Sequence, residues 1–123
     1  KTYEDLRGRE IGYVLNSAYF APFDDDGQLD KHGVPTEDQL QRMVERGHLP
    51  LMIGTDCQVD YALSQRNDAG LIKADYRPPH PVVLYLGMSK HSPHHALGPV
   101  LAQALQAMVE SGEVATLAKP YQP

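Results

Sequence analysis

The alternation of strand-like and helix-like segments is the feature that most limits how this chain can fold. Residues 10–15 and 49–53 are short runs of β-forming and apolar side chains, and each is followed by polar residues and then by a helical pattern. Strands that alternate with helices pair in parallel, because each helix carries the chain back to the start of the next strand. The alternation therefore predicts an α/β domain with a mostly parallel sheet.

Helices are predicted where apolar residues recur at helical spacing between residues that favour helix ends. Thr36 is typical of a helix N-cap, and Gly47 is typical of a C-cap. Asp56 is a candidate N-cap for the helix that follows it. The predicted helices are a short one that begins at residues 18–20 and is cut off by Pro22, then 36–47, 57–67, 96–111, and a last short one that ends near Tyr121.

Two further strands are predicted in the second half of the chain. Leu71-Ile72 is a short apolar pair. Val82–Gly87 is a longer run of β-forming side chains that follows the extended linker Pro78–Pro81.

Composition excludes several classes of function. With 123 residues and a formal net charge of -5, the chain lacks the basic patch expected of a nucleic-acid binder. No apolar run approaches the roughly 20 residues of a membrane span. The single Cys57 cannot form an internal disulfide. No nucleophile elbow, phosphate-binding glycine loop or metalloprotease motif is present.

Two polar clusters contain the residue types of metal sites but not their spacing. His91, His94 and His95 lie in a loop before the longest helix, where we expect them to be surface residues rather than metal ligands. The acidic run Asp24–Asp30 lacks the alternating acids and the sixth-position glycine of a calcium loop. We therefore predict no metal and no cofactor.

Three segments in order along the chain resemble one known family. They are YEDLRGREIG at residues 3–12, GHLPLMIGTD at residues 47–56, and the strand–loop–helix pattern of residues 81–121. Together they resemble the periplasmic solute-binding proteins of ABC importers, in particular the family that binds polar amino acids. The resemblance implies a lobe-two-like segment at residues 1–77, a hinge-strand-like segment at 78–90 and C-terminal helices at 91–123. It also implies that the first half of lobe one is absent from this chain.

The strand-to-helix junction Asn16-Ser17-Ala18-Tyr19 is the first candidate ligand-binding site. Unpaired amides of Ser17 and Ala18 at a helix start would form a binding position for a carboxylate. The resemblance assigns the same role to this junction, with Asn16 at the position of a family glycine and Ser17 at the hydroxyl position. A plain N-cap without ligand contact is the alternative.

Thr55 and Asp56 form the second candidate site. In the resembled family the strand of this segment ends in an Asp that pairs with the ammonium group of the ligand. An ungapped match places Thr55 at that position and Asp56 one residue later, while Pro50 replaces an earlier family Asp. The ligand is therefore expected either to differ from a standard α-amino acid or to bind weakly.

The resemblance implies a binding protein rather than an enzyme. It would hold an amino acid or a similar small polar solute in the periplasm or outside the cell and deliver it to an ABC permease. Two alternatives remain open: a ligand-sensing domain of a receptor kinase or cell-wall enzyme, and a small α/β enzyme. The apolar stripe of the helix Ala96–Ser111 also predicts association, with a homodimer as one possibility.

Overall fold

The computed structural model describes residues 1–66 and 70–122 and divides the chain into two compact units. Unit one is Lys1–Val82 and unit two is Val83–Pro123. Unit one contains the sheet and the buried core. Unit two is helical.

Unit one is built on an open sheet of three parallel strands. These are β1 (Glu10–Val14), β2 (Asp30–Val34) and β3 (Leu51–Met52), in the order β2-β1-β3. In register, Gly12 lies opposite His32 on one side and Met52 on the other. The predicted α/β class and the predicted parallel pairing are confirmed.

Helices connect the strands and then form unit two. They are α1 (Ala21–Asp25), α2 (Glu37–Glu45), α3 (Asp56–Ser64), α4 (Gly98–Glu110) and α5 (Glu113–Ala118), with 3-10 turns at Tyr3–Leu6, His95–Leu97 and Lys119–Tyr121.

The helix after β2 begins where the sequence predicted, and the helix after β3 begins one residue earlier than predicted, at Asp56 rather than Cys57. Thr36 is the N-cap of α2, and its hydroxyl accepts a hydrogen bond from the amide of Gln39 at 3.2 Å. The helix α3 follows Thr55 and ends at Ser64. The predicted end of α3 at Asn67 lies outside the described residues.

The prediction for the first helix is wrong. It does not begin at Ala18, because residues 17–20 have no regular structure, and α1 begins at Ala21. Pro22 starts this helix rather than ending it. Proline is favoured in the first turn, where its missing N–H would have no intrahelical acceptor.

The strand β2 was not predicted from the sequence, and two predicted strands do not form. β2 carries Asp30, Lys31 and His32, so its apolar content is too low to show a strand pattern. Neither Leu71-Ile72 nor Val82–Gly87 is a strand in the structure. The side chain of Leu84 in the second run is 80% exposed. Strand propensity mainly reflects packing against neighbouring strands, and no described strand pairs with either run.

Two hydrophobic clusters form the core of unit one. One contains Ile11 of β1 with Phe23 of α1 and Leu29. The other contains Val34, Leu40 of α2 and Leu49. Because side chains alternate along a strand, β1 contributes Ile11 to the first cluster and Val14 to the edge of the second.

Gly12 lets α2 approach β1 closely. A β-carbon at this position would clash with the Cδ1 atoms of Leu40 and Leu49, the latter at 2.7 Å. Both leucines are fully buried, so neither side chain can move into solvent. The absence of a side chain at Gly12 therefore determines how closely the helix packs on the sheet.

We expect Gly12→Ala to lower the free energy of unfolding by about 1–3 kcal/mol, because an added methyl group overpacks this contact. Gly27→Ala is the matched control, because a β-carbon at Gly27 meets nothing within 4 Å. Urea denaturation of both variants checks the prediction. A Gly12→Ala variant as stable as Gly27→Ala would show that the contact between α2 and β1 is not tight.

Candidate functional site

The carboxyl ends of the three parallel strands surround one cavity of about 380 Å³. This volume is in the range of small-molecule pockets in proteins. Each strand contributes residues just after its end, as expected of ligand sites in open parallel sheets. The lining residues are Val14, Ser17, Ala18, Tyr19, Pro35, Thr36, Glu37, Thr55 and Gln58.

A tight turn after β1 positions Ser17 and Ala18. The amide of Ser17 donates a hydrogen bond to the carbonyl of Val14 at 3.2 Å, and Asn16 has a φ of 61°. Asn tolerates this left-handed conformation better than most residues. Asn16 shapes the turn and does not line the cavity.

The geometry predicted for the carboxylate site is therefore wrong for the Ser17 amide and for the helix start, while the role of the Ala18 amide stays a prediction. The Ser17 amide already has an acceptor, and the helix that was expected to begin beside it begins at Ala21. What the turn does present to the cavity is Ser17 and Ala18 themselves.

Tyr19 forms one wall of the cavity and supports the end of β1. Its hydroxyl accepts a hydrogen bond from the Val14 amide at 3.0 Å. The strand β3 pairs with β1 only at Ile11 and Gly12, so the Val14 amide lies beyond that pairing. Burial raises the pKa of Tyr19, and the nearby Glu37 carboxylate raises it further.

Thr55 lines the cavity, but Asp56 does not. Thr55 is the N-cap of α3, and its side chain makes no capping hydrogen bond. The Asp56 carboxylate instead lies 2.9 Å from the Nζ atom of Lys73 and 3.3 Å from Arg77, and Lys73 lowers the pKa of Asp56. The interpretation of Asp56 as an N-cap is wrong, because Asp56 is the first residue of α3.

Among the described residues, Glu37, the first residue of α2, supplies the only carboxylate that lines this cavity. Its Oε1 atom is buried and accepts no hydrogen bond. Within residues 1–66 and 70–122, no basic group forms an ion pair with Glu37. Burial raises the pKa of Glu37, and the side chain of Gln41 opposes part of that rise.

The structure thus brings together four of the six residues that the sequence nominated, namely Ser17, Ala18, Tyr19 and Thr55. It leaves out Asn16 and Asp56 and adds Glu37, Thr36 and Gln58. The sequence showed Glu37 only as an acidic residue in the first turn of a helix, where acids are common because they favour the helix dipole. The Oε1 atom of Glu37 lies close to Gly54, which follows β3, and this long-range proximity has no signal in the sequence.

Comparisons with models of protein families, with curated proteins and with solved structures give no match to this chain. Among the described residues, no group of three or more His, Cys, Asp or Glu side chains could hold a metal ion. No helix in that part of the chain is long and apolar enough to cross a membrane.

We expect Glu37→Gln to raise the free energy of unfolding at pH 7 and to change it little below pH 4.5, the ordinary value for Glu. The folded-state pKa of Glu37 is raised, so the folded chain binds this proton more tightly than the unfolded chain does. Its contribution to stability therefore becomes less favourable as pH rises above the ordinary value.

Urea denaturation at the two pH values measures this effect, and Asp38→Asn is the matched control. Asp38 lies in the same helical turn, but it is exposed and pairs with Arg42 at 3.0 Å. We expect Asp38→Asn to leave the stability at pH 7 unchanged or slightly lower. Equal effects of the two substitutions at pH 7 would contradict the burial of an ionised Glu37.

Proposed function

We propose that this chain forms a substrate-binding lobe of an ABC import system, with the three-layer fold of a periplasmic solute-binding protein. The ligand is an amino acid or a similar small polar solute, held in the periplasm or outside the cell and passed to an ABC permease. The lobe binds its ligand without chemical change. Unit one supplies the binding surface.

The observation that supports this proposal most is the cavity at the strand ends. It is of a size that suits a small molecule, it lies where parallel sheets bind ligands, and hydroxyl, amide and carboxyl side chains line it. Ser17 and Thr55, from different strand ends, share it as the resemblance implied. In such proteins two lobes close on the ligand, and the ligand stabilises the closed state.

We expect this chain alone to bind amino acids only weakly. Two charge-assisted contacts contribute at most roughly 6 kcal/mol, and association costs about 4 kcal/mol or more. The remainder corresponds to a dissociation constant of tens of millimolar or weaker. Calorimetry with a panel of amino acids should therefore detect no binding in the micromolar range. Micromolar binding by the monomeric chain would overturn the proposal that this lobe holds only half of the site.

We also propose that α4 mediates a homodimer. No residue of α4 is buried, and the side chains of Val100 and Val109 are 61% and 54% exposed. Leu101 and Leu105 are also exposed and belong to the same apolar stripe. An exposed stripe of this kind favours association, and a second copy of the chain offers an identical stripe.

We expect the protein to associate with rising concentration and Leu101→Glu to remain monomeric in sedimentation velocity. The substitution places a charge on the apolar stripe, and glutamate keeps the helix because its helix propensity is high. Gln103→Glu adds the same charge outside the stripe and should associate as the unmodified chain does. A wild-type chain that stays monomeric at high concentration would refute the dimer.

A further inference from the structure

The carboxylates at the two ends of the polar face of α2 differ in whether they have a cationic partner. Glu37, Gln41 and Glu45 are spaced four residues apart and so lie on one face of the helix. Arg66 donates hydrogen bonds to the Oε1 atom of Gln41 at 3.2 Å and to the Oε2 atom of Glu45 at 3.0 Å. The carboxylate at the far end of this face thus has a cation, whereas Glu37 has none among the described residues.

The surroundings of Glu37 provide no substitute for that cation. The described residues that line its cavity include no Lys, Arg or His. The ammonium group of Lys31 donates hydrogen bonds to the carbonyls of Phe23 and Asp24. Lys31 lines a different pocket. The Oε1 atom of Glu37 is buried without a hydrogen-bond partner, and no cation among the described residues pairs with this carboxylate, so the site favours the arrival of a cation from outside the chain.

Gly54 has no side chain, and this leaves space for the Glu37 carboxylate. A β-carbon at Gly54 would lie 3.4 Å from Oε1 of Glu37 and would clash with a methyl group of Val59. Gly54 immediately precedes Thr55, the N-cap of α3. The Glu37 carboxylate therefore lies beside the backbone that leads into α3, and it lines the same cavity as Thr55.

We propose that Glu37 binds the cationic end of the solute, so that the site selects small molecules that carry a primary ammonium group. This inference rests on the proposed function, because it concerns the same cavity. The hydroxyl groups of Ser17, Thr36 and Thr55 provide neutral hydrogen-bonding groups for the rest of the ligand. Since no described residue that lines the cavity is basic, a solute with two negative charges is disfavoured.

Three probes separate the two ends of such a ligand. Alanine carries an ammonium and a carboxylate, ethylamine carries only the ammonium, and propanoate carries only the carboxylate. Amide chemical shifts of the full chain are followed as each probe is raised to about 100 mM, above the weak dissociation constant expected of one lobe. Ionic strength and pH are held constant.

We expect alanine and ethylamine to shift the amide signals of Ala18 and Thr55. In Glu37→Gln the slope of these shifts against probe concentration should fall about tenfold, as expected for the loss of a charge-assisted contact. Asp38→Asn, which removes a charge from the same helical turn, should keep the wild-type slope. The slope for propanoate should not fall in Glu37→Gln.

A second measurement needs no variant. The carboxyl-carbon signal of Glu37 should shift when ethylamine is added, while that of Asp38 should not. If alanine gives equal slopes in wild type and Glu37→Gln, or if the Glu37 carboxyl does not respond, the inference fails while the proposed function stands. If no probe shifts the cavity amides of the wild-type chain, both fail.

Discussion

The close packing of α2 on β1 is the contact on which the rest of unit one depends. It is possible only because Gly12 has no side chain where the buried Leu40 and Leu49 meet the strand. This contact fixes the start of α2 beside the ends of the strands, and the start of α2 carries Thr36 and Glu37. A packing constraint in the core thus determines which polar groups enter the cavity.

Much of this arrangement could be predicted from local patterns. The strand β1, the start of α2 at Thr36 and the start of α3 after Thr55 each have a strong signal in a few adjacent residues. The strand β2 has no such signal, because its strand conformation comes from five register pairs with β1 rather than from its own polar residues. Conversely, Val82–Gly87 has the composition of a strand but no partner strand, and strand propensity alone does not form one.

The site residues, like the helices and strands, could be predicted only where a local sequence pattern reveals them. Ser17 and Thr55 follow the ends of strands that the sequence reveals, so parallel pairing brings them to one edge. Asp56 was misread because its partners, Lys73 and Arg77, are distant in sequence. Glu37 was not recognised because its surroundings depend on long-range packing, in which the absence of a side chain at Gly54 leaves space for its carboxylate. Such relations arise only from the three-dimensional arrangement.

The burial of Glu37 connects stability with binding. Glu37 has a carboxylate whose Oε1 atom is buried without a hydrogen-bond partner, at a site where we expect a neutral glutamine to be more favourable for folding. Such a cost to stability is typical of residues retained for function. On the same face of α2, the carboxylate of Glu45 accepts a hydrogen bond from Arg66. This pair shows how the fold provides a partner for a carboxylate that has only a structural role. A ligand ammonium could pair with Glu37 as Arg66 pairs with Glu45. The free energy that the unpaired carboxylate costs in folding is then recovered on binding. The same unfavourable burial would then provide selectivity for a cationic group.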